Sequence, residues 1–98
     1  MSTTYNTVSN SNIESHSKNM ILAAIRAIDQ LEAWDELASY SPPEDMGFMF
    51  DDSPLMKRIN PKIAELYDGH SGSSYGWTMR QIEYIAKNGA EKYVSNFN

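Results

Sequence analysis

Met20-Ile21-Leu22-Ala23-Ala24-Ile25-Arg26-Ala27-Ile28-Asp29-Gln30-Leu31-Glu32-Ala33-Trp34-Asp35-Glu36-Leu37-Ala38 is the stretch from which the fold is read. Met20, Ile21, Ala24, Ile25, Ile28 and Leu31 recur at helical spacing and form one apolar stripe. Carried on unbroken at about 100° per residue, the same helix turns Glu32 and Asp35 onto that stripe. Trp34, Leu37 and Ala38 make a second stripe rotated away from the first. A break or kink between Asp29 and Glu32 resolves the conflict, leaving a long helix and then a short one that ends at Tyr40. Ser41-Pro42-Pro43 stops it, because proline donates no backbone hydrogen bond and restricts the residue before it.

Towards the C-terminus, Ser53-Pro54 restarts a helix, with the serine as N-cap and proline at the first helical position. Leu55, Ile59, Ile63, Leu66 and Tyr67 keep one phase through Pro61. This is one kinked helix or two abutting ones capped at Asn60-Pro61, closed by Asp68-Gly69. Residues 69–76 hold three glycines and three serines and read as a loop. Thr78 with Gln81 as a capping box, and Trp77 against Ile82 as a hydrophobic staple, then start the last main helix. Gly89 fits the left-handed position past its end. Ala90, Tyr93, Val94 and Phe97 outline one more apolar face. Towards the N-terminus, Met1 to Asn10 is polar and aperiodic and reads as a flexible leader. Order is expected from Ser11, whose Glu14 completes a capping box, with Ser15 and Ser17 as later starts. The expectation is an all-α or nearly all-α protein: one domain over 11–98, a bundle of about four to five helices, behind a disordered leader over 1–10.

Ninety-eight residues exclude α/β-hydrolase folds, TIM barrels and paired dinucleotide-binding domains, while 41% apolar residues suffice for a core. With no cysteine, disulfides, thiolate zinc sites, iron–sulfur clusters and a cysteine nucleophile are ruled out. The polar N-terminus lacks the basic and apolar regions of a signal peptide, and the run Met20–Ile25 is too short to span a bilayer. A soluble, cytoplasmic protein is expected.

Chemical motifs are weak. Gly72-Ser73-Ser74-Tyr75-Gly76 formally matches G-x-S-x-G, with His70 and Asp68 nearby. The nucleophile elbow, however, needs a strand turning into a helix above a parallel sheet, for which the chain has neither strands nor length. The alternative for this loop is anion or ligand binding through His70, Ser71, Ser73 and Thr78, although the Walker pattern is missing. His16 and His70 have no ligand partner at metal spacing, and the loop aspartates lack the EF-hand pattern. A helix-turn-helix over 81–97 fails, because Ile85 is bulky where a small residue is needed and the second helix has little positive charge. No enzyme activity, cofactor, metal or direct nucleic-acid contact is expected.

The charge map is more informative. The net charge of −5 comes from one third of the chain: between Arg26 and Lys57 there is no basic residue and there are eight acids. They are Asp29, Glu32, Asp35, Glu36, Glu44, Asp45, Asp51 and Asp52. Within this third, Glu44-Asp45 and Asp51-Asp52 bracket an apolar cluster of Met46, Phe48, Met49 and Phe50. The expected function is protein binding, as accessory subunit, adaptor or inhibitor, through Asp29, Glu32, Glu36, Glu44, Asp45, Phe48, Met49, Phe50, Asp51 and Asp52. Aromatic and methionine side chains supply burial energy, and carboxylates steer a basic partner. Core packing of Phe48 and Phe50 is the competing reading, and self-association is the second partner type. A third reading is nucleic-acid mimicry, since Asp29, Glu32 and Glu36 share about one quadrant of an ideal helix.

Overall fold

A computed structural model of the chain describes residues 2–12, 15–40, 53–67 and 73–97. Along these run six helices: α1 (Ser2–Ser9), α2 (Ser15–Leu31), α3 (Trp34–Ala38), α4 (Pro54–Leu66), α5 (Ser73–Asn88) and α6 (Ala90–Phe97). No strand occurs among the described residues. The protein is a small all-α domain with a Cα radius of gyration of 12.3 Å.

α2 is the pillar. α1, α4 and α5 all pack on it, and Ile21, Ala24, Ile25, Ala27 and Ile28 are wholly buried. The alanines matter as much as the isoleucines: Ala23 and Ala27 lie off the expected stripe yet are buried, because small side chains let neighbouring helices close in on further sides. Met56, Ile59 and Ile63 of α4 and Met79, Ile82 and Ile85 of α5 join the same core, with Val8 of α1, Leu37 of α3 and Tyr93 of α6.

The break after α2 is a Schellman motif. Glu32 takes φ of 52°, the left-handed region, and its N–H donates to the Asp29 carbonyl at 3.1 Å. The Ala33 N–H donates to the Ile28 carbonyl at 3.1 Å, and Ala33 is buried against the core. These two bonds satisfy carbonyls that the helix end leaves open. Glycine is the usual occupant of such a position, so the glutamate carries steric strain.

Ser53 caps α4 as expected: its Oγ accepts the Met56 N–H at 3.3 Å, with Pro54 following. α4 runs unbroken through Pro61 to Leu66, so Asn60 caps nothing, and its buried Oδ1 has no partner among the described residues. Gly89, at φ of 95°, gives its N–H to the Ile85 carbonyl and accepts the Tyr93 N–H, ending α5 and starting α6 in one residue.

Two starts differ from the sequence reading. α5 begins at Ser73, inside the expected glycine loop, which places Thr78 a turn and a half into the helix and removes the Thr78–Gln81 box and the Trp77–Ile82 staple. The signature was present, but the helix nucleates upstream of it. In the polar leader, residues 2–9 form α1, with Val8 fully buried and Tyr5 packed against the core. One well-placed valine anchors a segment that has no apolar periodicity. Ser11 donates its hydroxyl to the Val8 carbonyl at 2.6 Å, so it closes α1 rather than opening α2. The expected Ile13–Glu14 part of that cap lies outside the described residues.

Replacing Glu32 with glycine relieves the left-handed strain and should stabilise the protein by roughly 1 kcal/mol, raising Tm by about 4–8 °C in a thermal melt. A lowered Tm would show that the glutamate side chain contributes more than its backbone costs. Tyr93 makes a second prediction. Burial pushes its phenol up to about 12 from 10.0, so between these pH values the folded state keeps a proton that the unfolded chain has lost. Its contribution is complete below about pH 10 and fades as pH rises towards 12. Urea titrations across that range should show a falling stability whose slope is shallower in Tyr93→Phe.

Candidate interaction site at the α2–α3 corner

The left-handed residue at 32 turns the chain so that the end of α2 and the start of α3 face one another. The Trp34 indole Nε1–H donates to Asp29 Oδ1 at 2.7 Å, a charge-assisted bond that fixes both side chains. Trp34 is half-buried and packs against the core cluster, which immobilises the ring further. Asp29, Glu32, Trp34 and Asp35 together line an open cleft of about 310 Å³. Glu32 and Asp35 are exposed. Three acidic residues therefore line one cleft with an indole held by Asp29, an arrangement suited to a cation: the ring face attracts positive charge and the acids neutralise it.

Asp29 also lines a neighbouring open cleft of about 270 Å³ with Tyr5, Asn6 and Arg26. Arg26 marks the edge of the negative region on that side.

The corner separates residues that the sequence had aligned. Glu36 does not join the cleft. Its carboxylate takes Arg58 Nη1 at 3.0 and 2.9 Å, tying α3 to α4. Both partners are largely exposed, so the pair contributes at most about 1 kcal/mol, and its effect on charge outweighs its effect on stability. The single helical quadrant of Asp29, Glu32 and Glu36 does not form, because the helix ends before Glu32. Arg58 is 22 residues from Glu36 and no local pattern announces it. Trp34 and Asp35 are site residues absent from the expected partner-binding set. Their signal was available, since Trp34 follows Asp29 by five residues across a predicted break.

Glu44, Asp45, Phe48, Met49, Phe50, Asp51 and Asp52 lie outside the described residues, as do His70 and Ser71. The two residues that flank positions 41–52 do meet: the Tyr40 hydroxyl donates to Ser53 Oγ at 2.9 Å. Ser73 is the first residue of α5. Thr78 is wholly buried, and its Oγ1 has no partner among the described residues. A side chain closed off from solvent does not face a ligand at the surface, which weighs against Thr78 in the anion-binding alternative.

Among the described residues no three acidic or histidine side chains gather as a metal site, and no described helix is long and apolar enough to cross a membrane. No protein-family model, curated protein or solved structure matches the chain.

Thr78 gives the corresponding test. Burying a hydroxyl without a partner is costly, and valine has nearly the same shape. Thr78→Val should therefore raise stability by roughly 1–2 kcal/mol in urea unfolding. A loss of stability would mean that the hydroxyl is hydrogen-bonded in solution.

Proposed function

We propose that this protein is a binding module that takes a basic segment of a partner protein at the α2–α3 corner, acting as an accessory subunit, adaptor or inhibitor. The observation that carries the reading is the cleft itself, with the carboxylates of Asp29, Glu32 and Asp35 around a Trp34 ring held in place by Asp29. A lysine or arginine laid on the indole gains cation–π and charge–charge attraction together, and the ring is already ordered before the partner arrives. The acid excess between Arg26 and Lys57, reduced by the Glu36 charge that Arg58 offsets, extends the attraction beyond the cleft and raises the encounter rate at low salt.

The acid-flanked cluster of Glu44 to Asp52 belongs to the same proposed surface. Its flanking residues, Tyr40 and Ser53, are joined at the far end of α3 from the cleft, and α3 has only five residues. A helix of that length rises about 7.5 Å. Phe48, Met49 and Phe50 supply the apolar contact and the cleft supplies charge recognition. Nucleic-acid mimicry asks for carboxylates in line along one helix, which the corner and the Glu36–Arg58 pair do not favour.

The test uses an amidated Arg-Gly-Arg-Gly-Arg peptide titrated into the ¹⁵N-labelled protein. Because the Trp34 Nε1–H is bonded to Asp29, its indole resonance reports directly on the cleft. The resonance should move with added peptide, and the apparent affinity should weaken as salt is raised. Glu32→Lys with Asp35→Lys should abolish the movement while stability changes by about 0.5 kcal/mol or less, since both side chains are exposed. An indole signal that ignores the peptide, or one that shifts equally in the double variant, overturns the proposal. Asp51→Lys with Asp52→Lys should weaken the same titration and leave Tm almost unchanged.

A further inference from the structure

α1 is a short helix that depends on the rest of the bundle for its order. Among its eight residues are Thr3, Thr4, Thr7 and Val8, whose branched side chains lose rotamer freedom in a helix. An isolated helix of this length does not persist in water. Its first turn has no acid and its last turn no base, so α1 supplies no charge of its own against the helix dipole. Contact with the rest of the molecule is what orders it. Val8 is wholly buried, Tyr5 packs against the core, and Lys18 Nζ donates to the Ser11 carbonyl at 2.8 Å just past the helix end.

α1 also has an unusual place in the packing. It lies against α2 on one side and α6 on the other, while α6 packs chiefly on α1 and α5. α1 is therefore the piece that closes the groove between the pillar and the last helix. Thr3, Thr4 and Thr7 meet Asn88, Gly89, Ala90 and Glu91 across an open cavity of about 250 Å³, so the rim of the contact is polar and loosely filled. The core of α2, α4 and α5 holds together through Ile25, Ile28, Ile59, Ile63, Met79 and Ile82, none of which belongs to α1.

We infer that α1 is an exchangeable latch: it undocks from the α2–α6 groove without the core opening, and the vacated groove takes the α1 of a second copy. The occupant follows from the fit. The groove is shaped for Val8 and Tyr5, and a neighbour's α1 offers the same side chains in the same order. Reciprocal exchange then replaces each lost contact with an identical one, and the balance between closed monomer and exchanged dimer is set by concentration. The inference rests on α1 and its packing and is independent of the acidic corner.

Two measurements on the full chain test it. In native-state hydrogen exchange, the α1 amides should exchange at least about 100-fold faster than those of central α2 and α5, without following global unfolding. If α1 amides lose protection only together with α2 and α5, there is no latch. For exchange between copies, the absence of cysteine allows single cysteines to be placed cleanly. Thr7→Cys and Ala90→Cys, two positions lining the same cavity, are mixed as separate proteins and oxidised. The mixed disulfide should exceed the statistical half of all crosslinks, and its share should grow with protein concentration. A share at or below one half at every concentration overturns the exchange. If either variant fails to fold, light scattering of the unaltered protein decides instead. A dimer fraction that rises with concentration is required, and a monomer throughout refutes the proposal.

Discussion

A helix enclosed on several sides by others has to end without leaving carbonyls stranded in an apolar interior, and α2 is such a helix. Its Ile21, Ala24, Ile25, Ala27 and Ile28 have no solvent exposure, and α1, α4 and α5 all lean on it. The last carbonyls of any α-helix lack intrahelical donors. Here the Asp29 and Ile28 carbonyls receive the Glu32 and Ala33 N–H groups, and the chain turns out of the helix within two residues. That turn lets α3 pack on α5 and bury Leu37.

The surface chemistry follows from the same corner. Eight acids in one third of the chain read as a broad negative face, yet the four in described positions divide into different roles. Asp29 is occupied by the Trp34 indole and Glu36 by Arg58, while Glu32 and Asp35 remain exposed. Charge counted along the sequence therefore overstates the free charge on the surface. It still locates the region correctly, because the cleft lies within the acidic interval.

Much of the architecture was legible because it is written in local rules. The clash of Glu32 and Asp35 with the apolar stripe of α2 announced the break, Ser53-Pro54 announced the start of α4, and Gly89 announced a left-handed turn. Each is a signal within four or five residues of its effect. The misreadings have two physical causes. A local signature was outcompeted at Thr78, where a correct capping pattern sits inside a helix that begins at Ser73. Long-range contacts were invisible elsewhere: Val8 is apolar among polar neighbours, and its seat in the core, with Tyr5 packed beside the cluster, holds α1 in place. The Glu36–Arg58 pair belongs to the same class, whereas the acidic quadrant is lost for a local reason, the end of α2 before Glu32.

Thr78 and Glu32 both break local rules, and the difference between them is instructive. Thr78 holds a buried hydroxyl with no partner among the described residues, closed off from solvent, so its oddity concerns packing alone. Glu32 is a side-chain-bearing residue in a conformation suited to glycine, at a cost of roughly 1–2 kcal/mol, and its carboxylate lines the open cleft. Glycine would serve the turn better and leave the cleft one charge short. Backbone strain tends to be retained where a side chain is wanted for something other than stability. On that reasoning the strained corner and the candidate binding site are one feature: the turn that α2 requires also sets a carboxylate beside Trp34, and the strain at Glu32 accompanies keeping it there.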